Sequence, residues 1–234
     1  MEKLLFFSFL AGVSVFIGGL LAYIFNHHLK DTPIKYELSH SFMAFGSGII
    51  LSAVALVLIP KGLEELAVWP LVLTFLSGAL CFLLIDWYLS KKGGQTATLL
   101  AMLMDFIPES IALGAVFASQ SQMAKLLAVF IGLQNLPEAF NAFRDLTQSG
   151  FSTRKTLLLF FFLSFFGLGG ALAGHFILSD YPDLTAYLMT FASGGILYLL
   201  VQDLIPESKL KNTYLPTLGA ILGFCIGMIG EKII

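Results

Sequence analysis

The stretch LLAMLMDFIPESIALGAVFAS, residues 99–119, is apolar along its length except at a short polar centre. A helix that crosses a hydrocarbon core of about 30 Å needs about 20 such residues. The stretch therefore predicts a membrane-spanning helix. Its centre holds two carboxylates, Asp105 and Glu109, beside Pro108.

Composition supports a membrane setting for the whole chain. Hydrophobic residues make up 57% and charged residues 12% of the sequence, whereas a soluble domain carries about 25% charge. We therefore expect an integral membrane protein, and a net charge of −2 gives no reason to expect a nucleic-acid partner. Cys81 and Cys225 stand alone in apolar segments, which argues against a disulfide framework or a thiolate metal site.

Eight apolar segments of similar length follow one another along the chain. They predict an all-α, polytopic helical bundle of eight transmembrane helices forming one domain over residues 1–234. A spanning barrel would instead show alternating segments of about ten residues. Because the connections are short, we expect neighbouring helices to be antiparallel and all helices to pack in one bundle. The predicted spans are 4–25, 40–60, 67–89, 97–119, 123–145, 155–179, 183–205 and 213–231.

The basic residues predict the orientation of these spans. Nine of the thirteen Lys and Arg residues lie in, or within two residues of, the connections between spans 1 and 2, 3 and 4, 5 and 6, or 7 and 8, and four lie towards the opposite side. Cytoplasmic loops carry the excess of positive charge. Both termini are therefore predicted to lie outside the cytoplasm. We expect the protein in the cell (inner or plasma) membrane.

Two segments repeat each other without a gap. SGIILSAVALVLIP (47–60) and SGGILYLLVQDLIP (193–206) share a serine, a glycine and the final Leu-Ile-Pro, among other residues. They belong to spans 2 and 7, which the predicted topology runs in opposite directions. Inverted-topology repeats are common in transporters. We therefore predict an inverted repeat of spans 1–3 and 6–8 around spans 4 and 5.

The acids of spans 4 and 5 predict a polar site within the membrane. Asp105 and Glu109 are four residues apart, as are Gln134 and Glu138, so each pair shares a helix face. A charged side chain at the centre of a spanning helix costs at least about 2.5–3.5 kcal/mol. No Lys or Arg lies at that depth in any predicted span. Protons or a metal cation are the remaining means of compensation.

The prolines beside the acids favour a cation. Pro108 and Pro137 lack the N–H that would bond to the carbonyls of Met104 and Leu133. Freed carbonyls at membrane depth are tolerated where protein or a water-lined cavity satisfies them. The alternative is a pair of ordinary kinked helices with protonated, hydrogen-bonded acids.

DFIPES (105–110) in span 4 and QNLPEA (134–139) in span 5 resemble the HNxPEG-type motifs of the ZIP (Zrt-, Irt-like protein) family of divalent-metal transporters. Spans 2 and 7 resemble the corresponding helices of that family. The chain resembles a divergent bacterial-type member along essentially its whole length. The resemblance implies eight spans, both termini outside, and metal sites built by spans 4 and 5.

Carried over by position, the resemblance implies a primary site with four ligands. Glu109 and Glu138 would be central, with Asp105 and Gln134 flanking them, and Asn135 would contribute an oxygen from a peripheral position. Phe106 and Asn135 fall where the family places ligands of a second metal.

The chain departs from the family motif at four positions. Asp105 stands in place of His, Phe106 in place of Asn and Ser110 in place of Gly, while Gly167 is the counterpart of a Glu in span 6. We therefore expect one principal site. Losing the imidazole leaves oxygen ligands, which suit Mn²⁺ better than an imidazole site does.

These observations predict a transporter that takes up divalent transition metals, zinc first, with manganese or iron as alternatives. We expect divalent cations and the lipid bilayer as partners, no prosthetic group and no enzymatic activity, and we allow for a homodimer. Two other functions remain open. One is an ion-coupled carrier of another solute, and the other is an intramembrane hydrolase with an acid dyad, in which two carboxylates share a proton.

Overall fold

The computed structural model of the chain describes residues 1–28, 32–92, 94–119, 121–178, 180–211 and 213–233, without the side chains of 28, 92, 94–99, 101, 105 and 119. All secondary structure in the described residues is helical. Ten α-helices and two five-residue π-helical segments follow in order: α1 Glu2–His28, α2 Pro33–Ala53, the first π segment Val54–Leu58, α3 Ile59–Glu65, α4 Val68–Lys92, α5 Gly94–Ser119, α6 Ser121–Gln148, α7 Thr153–Leu178, α8 Pro182–Leu199, the second π segment Leu200–Leu204, α9 Ile205–Ser208 and α10 Leu215–Ile233.

Seven helical stretches of the described residues are long and apolar enough to cross a membrane. They correspond to seven of the eight predicted spans, with α2 to α3 and α8 to α9 each forming one stretch. The predicted span at 97–119 is the 26-residue helix α5, several of whose side chains lie outside the description. The protein is therefore an all-helical integral membrane protein, as predicted.

The two repeated sequence segments have matching backbones. Each changes from α-helix to π-helix seven residues after its first serine, at Val54 in one copy and at Leu200 in the other. At the end of each π segment, an N–H bonds to the carbonyl five residues back, from Ile59 to Val54 and from Ile205 to Leu200. A proline follows one residue later in both copies.

Helix packing divides the bundle into two groups. In the first group, α1 packs on α6 and α7, and α5 packs on α7 and α6. In the second, α2 packs on α10 and α4 packs on α8, while each π segment contacts the other repeat helix. The groups meet where α2 contacts α6 and where α5 contacts α8. Most of the principal contacts thus join helices that are distant in sequence.

Glycines allow the closest of these approaches. A Cβ added at Gly223 of α10 would overlap the carbonyl oxygen of Phe45 in α2, and one at Gly174 of α7 would overlap that of Ile111 in α5. Small residues let membrane helices approach where no hydrophobic force drives them together. Gly223 and Gly174 therefore allow α10 to pack closely on α2 and α7 on α5.

Burial identifies the centre and the edge of the bundle. Of the apolar 18-residue stretch that could cross the membrane, 67% is buried inside the protein in α6 and 11% in α4. Helix α6 is therefore surrounded by other helices, and α4 lies at the periphery with most of its surface available to lipid. Gln134 and Asn135 of α6, each 1% exposed, accordingly lie in the protein interior and not against hydrocarbon.

Candidate metal centre

Glu109 of α5 and Gln134 of α6 meet in the interior of the first helix group. The side chains are 2% and 1% exposed. Gln134 Nε2 lies 2.6 Å from Oε1 and 2.5 Å from Oε2 of Glu109, so the amide donates to the carboxylate. The predicted meeting of the polar residues of spans 4 and 5 is therefore observed for this pair.

The oxygen of the Gln134 side-chain amide is a second feature of this pair. Gln134 Oε1 is buried and accepts no hydrogen bond from the described residues. A buried acceptor without a donor costs about 1–3 kcal/mol. Because Nε2 faces the carboxylate of Glu109, Oε1 points away from it and is free to act as a ligand.

Both motif prolines lie inside continuous helices. Pro108 is part of α5 and Pro137 is part of α6, and neither ends its helix. Pro137 also contacts the second helix group, because a Cβ added at Gly46 of α2 would overlap its ring. The motif of α6 therefore lies directly at the boundary between the two groups.

Glu138 lies one helical turn beyond Gln134 and lines a cavity of about 230 Å³. The cavity is lined by α5 and α6 of the first helix group and by α2, α8, the second π segment and α9 on the other side of the boundary. The cavity is thus open between the two helix groups. Glu138 is half-buried, so its carboxylate links the interior pair to this space.

Three further acids line the same cavity, and an amide joins two of its helices. Asn141 Nδ2 donates to Glu207 Oε2 over 3.5 Å, which connects α6 to α9. Asp145 of α6 and Asp203 of the second π segment face the same space. The structure thus brings these three acids and Asn141 to one cavity.

Asn135 has a different environment from its neighbour Gln134. It is 1% exposed, and its Nδ2 donates to the carbonyl of Ala11 in α1 over 3.2 Å. This bond ties α6 to α1 and leaves Oδ1 as the remaining polar atom of the side chain. No sequence signal in span 1 pointed to Ala11, because the partner atom belongs to the main chain.

Phe106 packs against Gly167 across the α5–α7 interface. Its ring is 2% exposed, and a Cβ added at Gly167 would come 2.6 Å from the ring carbon Cζ. One turn later in α5, Ser110 is buried and its hydroxyl donates to the Phe106 carbonyl over 2.6 Å. Phe106 therefore contacts two other positions that depart from the family motif, Gly167 and Ser110.

The described side chains alone do not complete a metal site. No group of three or more His, Cys, Asp and Glu side chains within the described part of the chain could hold a metal ion. The side chain of Asp105, the fourth predicted ligand, lies outside that part. The described pair Glu109 and Gln134, with Glu138 one turn away, thus forms only part of the predicted ligand set.

His40 near the start of α2 and Glu65 at the end of α3 make contacts within their own helices. The ring of His40 lies 2.8 Å from the Tyr36 carbonyl. Glu65 Oε1 lies 2.9 Å from the ammonium group of Lys61, whose side chain is 8% exposed. Glu65 therefore forms an ion pair at the end of α3.

Comparison with known proteins identifies the family. The family model described as ZIP zinc transporter matches residues 94–230, which is more than half of the chain. The chain belongs to the ZIP family. This match includes α5 and α6 with their Pro-Glu motifs, and it confirms the resemblance inferred from those motifs.

Curated relatives of the ZIP family extend the match. Zinc transporter ZIP13 of Pongo abelii is 26% identical over 228 residues, covering 93% of this chain and 64% of the relative. Zinc transporter GufA of Myxococcus xanthus is 32% identical over 142 residues, covering 60% of this chain and 56% of the relative. Zinc transporter ZIP5 of Homo sapiens is 32% identical over 142 residues, with 26% of the relative covered. The chain thus spans between about a quarter and two thirds of the length of these relatives.

Proposed function

We propose that the protein transports divalent cations across the membrane, zinc first and manganese or iron as alternatives, through a site between α5 and α6. Glu109 and Glu138 are its central ligands, Asp105 and Gln134 flank them, and Asn135 contributes an oxygen from the periphery. The observation that carries the proposal is the buried Glu109–Gln134 pair, with a glutamine oxygen that has no donor in the described residues.

Electrostatics supports a cation in this position. A carboxylate inside a membrane protein needs a compensating charge or donors, and Gln134 supplies one neutral amide to Glu109. No Lys or Arg lies at this depth in the predicted spans, so a bound cation is a suitable counter-charge for the acids of the site. The unused Gln134 oxygen adds a neutral ligand, so the cation gains oxygens from both helices.

The cavity beside Glu138 supports a route out of the site. It begins at Pro137 and Glu138 and is lined further along by Asp145, Asp203 and Glu207. Such a row of acids attracts cations and lowers the cost of moving one away from the buried pair. We assign this route to the cytoplasmic side, as the distribution of basic residues predicts.

The choice of metal follows from the ligand atoms. The family's zinc transporters favour zinc as the first candidate, and the named relatives are zinc transporters. The proposed ligands here are carboxylate and amide oxygens, which suit Mn²⁺ as well. We therefore assign zinc with weaker discrimination against manganese and iron than a histidine site would give.

The matched π segments support the predicted architecture. Their equal offset within the repeated sequences favours two structurally related halves, spans 1–3 and 6–8, placed around spans 4 and 5 in inverted orientation. With α5 counted as a span, the chain crosses the membrane eight times, and both termini lie outside the cytoplasm. Transport then requires movement at the contacts between the helix groups, such as that of Gly46 with Pro137.

The test is uptake of radioactive Zn²⁺ into cells or proteoliposomes. Glu109→Ala and Glu138→Ala should abolish uptake at equal protein levels, whereas Glu231→Ala, at an exposed position in α10, should not. Unchanged metal accumulation in the first two variants would refute the assignment. Calorimetry with Zn²⁺, Mn²⁺, Fe²⁺ and Mg²⁺ separates this function from a carrier that uses its acids only for a coupling ion.

The hydrolase alternative receives no support from the geometry of the described pair. An acid dyad needs two carboxylates that share one proton, whereas the observed contact of the pair is an amide donating to a carboxylate, from Gln134 to Glu109. Metal-independent cleavage of a membrane substrate by the purified protein would be needed to revive that function.

A further inference from the structure

The side of the acids that faces α7 is occupied by an aromatic ring. Phe106 precedes Glu109 by three residues, which places it about 4.5 Å lower along the axis of α5 and turns it by only about 60° from the glutamate. Its ring is buried against Gly167. Below Glu109, the space between α5 and Gly167 of α7 is therefore filled by the apolar atoms of this ring.

The residues on this side offer few ligands. Phe106 and Gly167 have no side-chain oxygen, nitrogen or sulfur, and the Ser110 hydroxyl is bonded to the main chain of its own helix. The Asn135 amide nitrogen is bonded to α1. Of these side chains, the Asn135 oxygen remains as a ligand for a cation placed here, beside any carboxylate oxygen shared with the main site.

We propose that the metal centre holds a single cation, because the Phe106 ring, seated on Gly167, closes the position beside Glu109 where a second cation would be coordinated. This inference rests on the proposed function and adds the stoichiometry of its site. Phe106 is a specificity-determining residue in this sense, since its ring excludes both a second metal and the water that would accompany it.

The two residues depend on each other. The Cβ of any side chain at position 167 would overlap the Phe106 ring. Gly167 is therefore needed for the ring to occupy its observed position. Replacing the ring alone removes the obstruction but adds at most one ligand. A second site therefore requires both changes, Phe106→Asn to supply an amide oxygen and Gly167→Glu to supply a carboxylate.

The experiment measures bound Zn²⁺ per chain in the purified full-length protein, by elemental analysis after equilibrium dialysis. Subtracting the value of a Glu109→Gln variant removes cations bound elsewhere on the surface. We expect one Zn²⁺ per chain for the wild-type protein, one for Phe106→Leu, which keeps an apolar side chain, and two for the combined Phe106→Asn and Gly167→Glu variant.

Each outcome bears on the proposal. Two Glu109-dependent Zn²⁺ ions in the wild-type protein would overturn the single-cation site while leaving the transport function intact. No Glu109-dependent Zn²⁺ would overturn the proposed function and this inference with it. If the combined variant does not fold, the wild-type and Phe106→Leu values still test whether the site holds one Zn²⁺ per chain. If it folds and binds one ion, the ring is not what excludes the second.

Discussion

Gln134 Nε2 lies between the two carboxylate oxygens of Glu109, 2.6 Å from one and 2.5 Å from the other. One amide therefore sets the orientation of the carboxylate from a neighbouring helix. The same amide directs its own oxygen away from Glu109, because a carbonyl oxygen would be repelled by the carboxylate. Positioning and ligation are thus combined in a single side chain.

Replacing Gln134 should weaken metal binding. Gln134→Leu removes the donor to Glu109 together with the free oxygen, and hydrogen bonds to charged groups contribute about 1.5–3 kcal/mol. We expect the Kd for Zn²⁺ in calorimetry to rise by about 10- to 100-fold. Gln148→Leu, the same change at an exposed position at the end of α6, should leave the Kd unchanged. An unaltered Kd in Gln134→Leu would show that the amide has no part in the site.

Two glycines of α7 give a matched test of helix packing. An added Cβ at Gly174 would overlap a main-chain carbonyl of α5, whereas one at Gly169 has no atom within 4 Å. Gly174→Ala should therefore lower the free energy of unfolding by about 1–3 kcal/mol, because the obstructing backbone cannot rotate away. Gly169→Ala should be neutral or stabilise by up to about 1 kcal/mol. Unfolding in mixed detergent micelles measures both, and equal stability of the two variants would contradict the α5–α7 contact.

Metal selectivity should respond to position 105. Asp105→His exchanges a carboxylate for an imidazole, which favours zinc over manganese. We expect the ratio of the Mn²⁺ and Zn²⁺ dissociation constants to increase by about tenfold, equivalent to about 1.4 kcal/mol. Competition calorimetry gives this ratio. An unchanged ratio would show that Asp105 is not a ligand and does not contribute an oxygen to the site.

The neighbouring glutamates at the end of α3 should differ in their effect on stability. Glu65→Gln removes the partner of Lys61, whose side chain is 8% exposed. An ammonium group left without its carboxylate in a mostly buried position should lower the free energy of unfolding by about 1 kcal/mol, since the glutamate itself is partly exposed. Glu64→Gln, at an exposed position without that pair, should stay within about 0.5 kcal/mol. Equal effects in denaturation experiments would argue against the ion pair.

The sequence predicted the helices well because membrane spans obey one strong rule. A run of about 20 apolar residues ended by charge or turn residues leaves few alternatives, and the observed helices α4 and α6 differ from predicted spans 3 and 5 by one to three residues at each end. Packing partners were not predictable in the same way. Apolar segments resemble one another, and loop length does not reveal that α1 lies on α6 and α7.

The site was only partly predictable for a similar reason. Residue types and spacing identified Glu109 and Gln134, because buried acids and amides are costly and therefore conspicuous in an apolar chain. The contact of Asn135 with Ala11 involves a main-chain atom, which no side-chain pattern can reveal. The contact of Phe106 with Gly167 depends on shape, and a phenylalanine in a chain rich in phenylalanine carries no signal of its own.

The π segments act in each repeat helix as a one-residue insertion. An N–H that bonds five residues back encloses one residue more than an α-helical turn, so every side chain that follows is rotated by about 100°. Deleting one residue from Leu200–Leu204 would restore a regular helix and turn α9 by that angle. Glu207 would then leave the cavity wall it shares with Asn141. The direction in which the last acid of the cavity points is therefore set by residue count in the helix before it.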